Sequence, residues 1–273
     1  MQMSLFLFLL TWMALRPPSE AQGDAFERII GGLIGSQAQP IGELTVAVGK
    51  KLIGTPYVER TLEMEGPERL VVFFDGFDCV TFVESCLAIA GTLKSPQTDF
   101  AVFRRQLQTI RYRNGAIDGY PSRLHYFSDW GGDNAHMGIV ADMTQVLGGI
   151  PYPKTIDFMS THREAYAQLS HEGFFEQIKR DEAALNSRRR FYIPKDKVSE
   201  VENQIKDGDI LAITSTVEGL DVAHTGLALH VNGRLHLLHA SSAQKKVAVS
   251  VEPLADYLDK HGSQSGIMVF RPL

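Results

Sequence analysis

Cysteine is scarce in this chain of 273 residues, which contains only Cys79 and Cys86. So few thiols exclude the disulfide framework on which many small secreted domains depend. If both residues lie on one helix, their Cα atoms are about 10 Å apart at about 1.5 Å of rise per residue, whereas a disulfide needs them within about 7 Å. We therefore expect both thiols to be reduced and to have separate roles.

Clustered positive charge is scarce as well. The net charge is −5, and the one dense basic run is Arg188-Arg189-Arg190. Binding to nucleic acids needs many Lys and Arg residues along a row of phosphates, so we predict no nucleic-acid partner and interpret the run as a solvated helix end. The sequence also lacks the metal-binding motifs HExxH and paired CxxC, and we expect neither a metal nor another cofactor.

A hydrophobic run of transmembrane length is missing. The apolar stretch from Leu5 to Leu15 falls short of the roughly 20 residues that span a bilayer, so no integral membrane span is expected in the mature chain. The stretch fits a signal peptide over residues 1–21, with Ser19 and Ala21 as small residues before the cut, which predicts a periplasmic or secreted protein. Because no basic residue precedes it, an ordinary buried helix or a different start site are the alternatives.

The remaining residues, 22–273, are predicted to form a single domain. A hydrophobic content of 44% and a charged content of 22% are typical of a soluble globular protein, and the length allows a substantial core. Nothing in the sequence indicates an oligomeric state.

Helical spacing of apolar residues dominates the first half of this domain. The stretch around 115–153 is rich in Gly, Asp and aromatic residues, and we predict a loop region with short strands, inserted to bind substrate. Helices are predicted around 26–34, over 41–52, 79–91 and 100–112, and once or twice within 156–185.

Alternating apolar residues replace this spacing after Gly208, and Asn232-Gly233 is a strong signal for a two-residue hairpin loop. Helices followed by an antiparallel sheet predict an α+β fold. Strands are predicted over 209–213, 223–231, 235–240, 247–251 and 267–270.

The predicted hairpin brings two histidines together. If Asn232-Gly233 is the whole loop, His239 lies opposite Gly226, and His224 lies on the same face as a diagonal neighbour about 7–8 Å away. Gly226 has no side chain and leaves room beside His239. One imidazole can therefore accept a proton while the other orients it.

Cys79 is predicted to open a helix, with Asp78 as its N-cap. The reactive form of a cysteine is its thiolate, which a helix N-terminus and a neighbouring imidazole both favour. The backbone N–H of Cys79 is also placed to bind the oxyanion of a tetrahedral intermediate. A helix-opening thiol with two histidines downstream is typical of a papain-like thiol hydrolase, whereas Cys86 lies on the apolar stripe and is expected to pack in the core.

Four segments, in order along the chain, resemble the NlpC-type branch of papain-like cell-wall cysteine peptidases. The resemblance implies a papain-like fold, in which a helical N-terminal part with the nucleophile at a helix N-terminus packs on an antiparallel sheet. It implies Cys79 as nucleophile, His224 as general base and His239 as the residue that orients the base. Tyr57 would lie beside the nucleophile and help to define the oxyanion site. The segments are Ile53-Gly54-Thr55-Pro56-Tyr57-Val58, Phe77-Asp78-Cys79, Gly208-Asp209-Ile210-Leu211, and His224-Thr225-Gly226 with Leu238-His239-Ala240.

Two further segments are similar to those of a narrower group, the N-acetylmuramoyl-L-alanine amidase-like family, first catalogued as a domain of unknown function. This similarity implies hydrolysis of the amide bond between the lactyl group of N-acetylmuramic acid and L-alanine. Peptidoglycan fragments (muropeptides) are the implied partners, including their anhydro forms. The segments are Cys79-Val80-Thr81-Phe82-Val83-Glu84 and Ser122-Arg123-Leu124-His125-Tyr126-Phe127-Ser128-Asp129-Trp130.

The second of these segments suits a muropeptide chemically. The guanidinium of Arg123 can bind a carboxylate through two parallel hydrogen bonds, and Tyr126 and Trp130 offer flat apolar surfaces to a sugar ring. The alternative is a structural loop in which Arg123 pairs with Asp129 and Trp130 fills the core. The residues predicted to bind substrate are Arg123, His125, Tyr126, Ser128, Asp129 and Trp130.

Three other functions fit parts of the pattern. A γ-D-glutamyl endopeptidase would cleave the stem peptide with the same groups, but many such relatives carry Ser-Gly where this chain has Val80-Thr81. A non-catalytic module would bind peptidoglycan fragments without needing Cys79 or His224, and both are present. An acyltransferase would use the same pair of residues beside an apolar groove or membrane anchor.

Overall fold

The computed structural model describes residues 18–273, and most of the predicted signal peptide, residues 1–17, lies outside this range. No helix in the described range is both long and apolar enough to cross a bilayer. The helices are α1 (Pro18–Gly31), α2 (Ile41–Lys51), α3 (Cys79–Lys94), α4 (Phe100–Arg111), α5 (Phe127–His136), α6 (Phe158–Thr161), α7 (Glu172–Ser187), α8 (Val198–Val201) and α9 (Leu254–Asp259). The strands are β1 (Val140–Asp142), β2 (Ile150–Pro151), β3 (Phe191–Pro194), β4 (Ile210–Ser215), β5 (Val222–Val231), β6 (Arg234–Ser241), β7 (Lys246–Val249) and β8 (Gln264–Pro272).

Between residues 18 and 273 the strands form one eight-stranded sheet in the order β2-β3-β8-β4-β5-β6-β7, and β1 also pairs with β8. Every pairing is antiparallel, which confirms the α+β class; the papain-like assignment stays a prediction. Side chains alternate between the faces of a strand, so Leu227 and Leu229 of β5 join the core beneath α2 and α3. Ala228 joins a second core on the opposite face, which includes Leu254 and Leu258 of α9.

Helix α3 runs through the larger core and is buried along almost its whole length. Its first turn is closed by a capping box: Asp78 accepts a hydrogen bond from the Thr81 N–H at 2.8 Å, and the Asp78 N–H donates to the Thr81 hydroxyl at 3.0 Å. Such a cap stabilises a helix by about 1 kcal/mol and fixes the residue at which α3 begins. Both thiols are free, and Cys86 is buried in the core, as predicted.

The register of the β5–β6 hairpin is the predicted one. Leu227 pairs with Leu238, and Val231 pairs with Arg234. A Cβ placed on Gly226 would lie 2.9 Å from the Cβ of His239, which is closer than real Cβ atoms approach. Gly226 is therefore needed for His239 to lie where it does.

Helix α5 corrects the prediction that residues 115–153 hold only loops and short strands. The sequence of α5 contains Gly131 and Gly132 and few apolar residues, so helical periodicity is weak there. Tertiary contacts stabilise it instead: the Asn134 side chain donates to two carbonyls, and Gly131 packs so closely on the Phe270 ring that a Cβ would lie 2.2 Å from it. The short elements β3 and α9 were also not predicted.

Candidate active site

Cys79 is the first residue of α3 and is partly buried. Its sulfur faces the backbone N–H groups of Thr225, of Val80 and of Cys79 itself. Thr225 follows His224 in β5, and α3 packs against this strand. The thiol therefore lies against the segment of sheet that carries the first histidine.

Burial raises the pKa of the Cys79 thiol to about 12, and the neighbouring Asp78 carboxylate contributes to the shift. The three N–H groups act in the opposite direction, which agrees with the expected influence of a helix N-terminus. Desolvation is the larger effect. The free thiol is therefore favoured at neutral pH, so a base is needed to form the thiolate.

His224 on β5 and His239 on β6 contact each other directly. The Nε2 atom of His224 lies 2.5 Å from the Nδ1 atom of His239, and the two rings are nearly perpendicular, at 78°. This contact confirms that the histidines share one face of the sheet. Because Nε2 of His224 is engaged, Nδ1 is the nitrogen of this ring that lies outside the contact.

Both imidazoles are held neutral by their surroundings. Burial, with smaller contributions from His239 and His261, lowers the pKa of His224 to about 3. Burial and then His261 lower the pKa of His239 to about 4. A neutral imidazole can accept a proton, so across the neutral range the Cys79 thiol keeps its proton and the His224 ring has a nitrogen that can receive one. That is the protonation state which a thiol–imidazole catalytic pair needs.

Tyr57 lies close to the thiol. It forms an isolated bridge with Phe77, and the Phe77 N–H donates to the Pro56 carbonyl, which ties the tyrosine segment to the residues just before α3. Burial raises the pKa of Tyr57 to about 12, and the neighbouring Cys79, once ionised, and Asp78 add to the shift. The hydroxyl group is therefore a proton donor at neutral pH, while its role at an oxyanion stays a prediction.

Tyr257 and His261 lie beside the two histidines and were not found from the sequence. The Tyr257 ring is 5.8 Å from the His239 ring and nearly perpendicular to it, and the His261 ring is 4.4 Å from that of Tyr257. His261 also bonds the Tyr257 carbonyl through Nδ1 at 2.7 Å. Tyr257 lies in α9 and His261 just after it. This helix is short, and no sequence motif indicates that it packs beside the two histidines.

A cavity of about 420 Å³, here called the cleft, opens beside the N-terminus of α3. Its lining includes Asp78, Val80 and His125. Charged residues from several separate segments form much of the remaining wall: Arg60, Glu63, Glu84, Arg111 and Arg123. The cleft is therefore suited to a polar ligand that carries charge of its own.

Two of the residues predicted to bind substrate, Arg123 and His125, reach the cleft. Arg123 donates to Glu63 at 2.8 Å and lies 3.5 Å from Glu68, so it does not pair with Asp129 as the alternative reading expects. The Nε2 atom of His125 bonds the Tyr120 carbonyl at 2.9 Å. Burial, with Arg123 next in effect, lowers the pKa of His125 to about 3, so this ring is neutral.

Trp130 and Tyr126 do not offer surfaces to a ligand, which corrects their predicted role. Trp130 is 0% exposed and packs between Phe127 and Phe270, at 4.7 and 6.4 Å between ring centres. Tyr126 is buried, and its hydroxyl donates to Glu182 at 2.7 Å. Both side chains point into the protein because α5 sets their direction.

Ser128 and Asp129 also have structural roles and do not line the cleft, which corrects their predicted assignment. The Ser128 N–H donates to the buried carboxylate of Asp221 at 2.7 Å. Asp129 bridges Arg113 and Arg188, at 2.7 and 2.9 Å. These contacts hold α5 to the segments around it.

The most deeply buried charges in the cleft wall are those of Glu84 and Arg111, which are 1% and 2% exposed. The Arg111 Nε atom lies 2.7 Å from a Glu84 oxygen, and its Nη1 atom donates a hydrogen bond to the Val71 carbonyl at 2.6 Å. Sequence reasoning did not assign this pair a role. The available signal was a carboxylate at position 84 within an otherwise apolar helix, because such a residue is almost never fully buried without a partner.

Among residues 18–273, no three His, Cys, Asp or Glu side chains converge in a way that could hold a metal ion. The groups gathered at Cys79 are those of nucleophilic chemistry, in which a thiol, a base and an orienting residue act together.

Comparison with known proteins gives consistent matches. A family model described as N-acetylmuramoyl-L-alanine amidase-like matches residues 47–267. A crystal structure described as an N-acetylmuramoyl-L-alanine amidase from Bacteroides uniformis is 40% identical with a TM-score of 0.81, over 85% of this chain and 99% of that one. No curated protein matched the chain.

Two further crystal structures are similar. One, described as a putative xylanase from Bacteroides fragilis, is 41% identical with a TM-score of 0.78, over 82% of this chain and 98% of that one. The other, a protein from Legionella pneumophila, is 22% identical with a TM-score of 0.69, over 93% of this chain and 95% of that one. The second likeness shows a shared fold.

Proposed function

The chain belongs to the N-acetylmuramoyl-L-alanine amidase-like family, and from this premise we propose that it hydrolyses the amide bond between N-acetylmuramic acid and L-alanine in muropeptides, including anhydro-muropeptides. The observation that carries the proposal is the meeting of Cys79 with the strand of His224, while His224 contacts His239 at 2.5 Å. A location outside the cytoplasm, which the segment 1–21 predicts, suits this substrate.

The reaction begins with the proton of the Cys79 thiol, which His224 accepts. As the sulfur attacks the lactyl carbonyl carbon, its proton passes to Nδ1 of His224 and the carbonyl oxygen becomes an oxyanion. When the intermediate collapses, the C–N bond breaks and His224 gives the proton to the nitrogen of L-alanine, which leaves. Water then loses a proton to His224 and attacks the thioester, and the sulfur regains that proton as the C–S bond breaks.

The remaining groups have supporting roles in this proposal. His239 holds the His224 ring through the Nε2–Nδ1 contact, so that Nδ1 points to the thiol. The backbone N–H of Cys79 and the protonated hydroxyl of Tyr57 bind the oxyanion. The arginines of the cleft attract the carboxylates of a stem peptide, and Arg123, which also bonds Glu63 at 2.8 Å, is the one that the sequence predicts to bind one of them.

A glycosidase activity, which the name of the Bacteroides fragilis relative brings to mind, fits the cleft less well. Cleavage of a glycosidic bond uses two carboxyl groups about 5–10 Å apart, one protonated and one ionised. Glu84 is bonded to Arg111, Glu63 is bonded to Arg123, and Asp78 caps α3. Each of the cleft carboxylates therefore already has a structural partner.

The decisive experiment follows defined substrates by mass spectrometry. Anhydro-muropeptides and reducing-end muropeptides are incubated with the wild type, with Cys79→Ala, and with Cys86→Ala as a control for loss of a thiol in the core. We expect wild type and Cys86→Ala to release intact stem peptide beginning with L-alanine, and Cys79→Ala to release none.

Other products would change the assignment. Cleavage after D-glutamate would show a γ-D-glutamyl endopeptidase. Binding without any cleavage by the wild type would show a non-catalytic module, and transfer of the acyl group to an added amine or alcohol in place of water would show an acyltransferase.

A further inference from the structure

A second cavity, of about 610 Å³, lies between the segment after β2 and the segment that joins α7 to β3. It shares no lining residue with the cleft beside Cys79. Among the described residues that line it, none is Asp or Glu, and four are cations: Lys154, Arg188, Arg189 and Arg190. In a protein of net charge −5, this is a local excess of positive charge, here called the arginine pocket.

Most of this charge has no opposite charge bonded to it. Lys154 donates to the Ser215 carbonyl at 2.6 Å. Arg190 donates to two carbonyls, those of Leu185 and Lys154, both at 2.6 Å. Carbonyl oxygens fix the direction of a cation but do not neutralise it.

The two arginines before Arg190 differ from each other. Arg188 bonds Asp129 at 2.9 Å and so is neutralised in part. Within the part of the chain that the structure describes, no carboxylate lies within ion-pair distance of Lys154, Arg189 or Arg190. The run at 188–190 is thus more than the solvated helix end that its sequence suggests, because it forms one wall of a cavity.

The surroundings of the pocket confirm a shortage of negative charge. Burial lowers the pKa of Lys154 and of Arg190, and Asp221 is the acid that counteracts this at both. Asp221 is itself 1% exposed, and burial raises its pKa. Its oxygens accept backbone hydrogen bonds, from Ser128 and from Val222, so it is not available to the pocket as a surface counter-charge.

One donor of the pocket is also left unused. The Nε atom of Arg190 is buried and has no hydrogen-bond acceptor among the described residues. A buried N–H without a partner lowers stability.

We propose that the arginine pocket binds an oxyanion, the phosphate or carboxylate group of a ligand, at a place separate from the catalytic cleft. The oxyanion accepts hydrogen bonds from Arg189 and Arg190 and is attracted by Lys154, since a guanidinium matches both groups geometrically. Tyr152 and Phe191, which also line the pocket, contact the uncharged part of the ligand. The proposal does not depend on the reaction at Cys79.

The test titrates inorganic phosphate and, in a separate arm, glutarate into the full chain at low ionic strength, with backbone amide shifts at 154 and 189–190 as the readout. Lys154→Gln and Arg189→Gln each remove one charge from the pocket. Arg180→Gln is the matched control, because Arg180 is an exposed arginine of α7 whose side chain bonds Gln177 alone. Arg190 is left intact, since it holds two carbonyls.

We expect saturable binding of at least one probe, weakened about tenfold by each pocket variant and unchanged by Arg180→Gln. The tighter probe identifies the source: phosphate points to a phosphorylated polymer or small molecule, and glutarate to a carboxylate such as that of a peptide. Shifts that never saturate, or equal affinities in all four proteins, would overturn the proposal.

Discussion

Two neighbouring regions of this protein are built on opposite electrostatic principles. At the corner formed by Cys79, His224 and His239, burial keeps all three groups uncharged at neutral pH. In the cleft wall, five residues along the same helix, Glu84 is buried against Arg111 as an ion pair at 2.7 Å. Burial disfavours charge at both places, but at Glu84 the charge and hydrogen bond of Arg111 oppose the rise in pKa that burial causes.

This difference indicates that the corner and the cleft wall have different roles. A neutral thiol and a neutral imidazole can exchange a proton during each turnover, because neither is locked in a charged state. A buried ion pair cannot change its charge without a large loss of stability, so it serves as fixed scaffold. We expect mutations at the corner to alter the rate and mutations in the wall to alter the stability.

The largest effect is expected for Cys79→Ala. Loss of the nucleophile should lower the turnover of a muropeptide by about 10⁴-fold or more, while the free energy of unfolding changes little because Cys79 is at the edge of the core. Steady-state kinetics and urea unfolding measure the two quantities. Turnover at the wild-type rate would remove Cys79 from the mechanism.

The reverse pattern is expected for Glu84→Gln. This change leaves the Arg111 charge buried without its partner and should lower the free energy of unfolding by about 3–5 kcal/mol, measured by urea denaturation. Glu176→Gln is the control, since its pair with Lys179 is almost half exposed and such pairs contribute little. Similar stabilities for the two variants would contradict the idea that the wall is scaffold.

A smaller effect, on rate alone, is expected for His239→Ala. The His224 ring then loses the contact that orients it, and kcat should fall by about 100-fold with KM nearly unchanged. His236→Ala is the matched control, because His236 lies on the same strand but bonds the Ser250 carbonyl on the other face. Equal kcat values for wild type and His239→Ala would mean that another residue orients His224.

The histidine pair and the start of α3 could be predicted from the sequence because the geometry of each is local. Asn232-Gly233 fixes the hairpin register, and the register places His224 and His239 on one face whatever the rest of the protein does. Asp78 and Thr81 fix the first residue of α3 by contacts within one helical turn. Each inference needed only a few neighbouring residues.

The cleft could not be predicted in the same way, because it is assembled from distant segments. Arg60, Arg111 and Arg123 meet there only after folding, and no spacing rule connects them. Six residues of the segment 122–130 are predicted to bind substrate, but α5 turns Trp130 into the core, as the alternative expects, and leaves Arg123 and His125 at the cleft. Weak periodicity hid α5, and without that helix the direction of each side chain was undetermined.

The neutrality of the corner also predicts a dependence on pH. His239 has a pKa of about 4 when folded and about 6.5 when unfolded, so below pH 6.5 the unfolded chain takes up a proton that the folded chain does not. The free energy of unfolding should therefore fall as pH falls, by about 2 kcal/mol from this residue between pH 6.5 and pH 5. The slope should be shallower in His239→Asn, and kcat of the wild type should show no inflection near pH 6.5.

The smallest expected effect tests whether the corner responds to a single nearby charge. The Asp78 carboxylate raises the pKa of Cys79 and caps α3 as well. Asp78→Asn keeps a good cap, so stability should change by less than about 0.5 kcal/mol, but it removes the charge and should lower the pKa of the thiol. Alkylation by iodoacetamide, followed against pH, should then begin at lower pH than in the wild type.

Asp99→Asn is the matched control for loss of a capping carboxylate. Asp99 caps α4 through the Val102 N–H in the same way, but no cysteine lies in that turn, so the alkylation profile should match that of the wild type. If Asp78→Asn also left the profile unchanged, burial alone would set the state of the thiol. The pKa of Cys79 would then not respond to the Asp78 carboxylate. Exclusion of solvent alone would have to explain why the corner is uncharged and the cleft wall is charged.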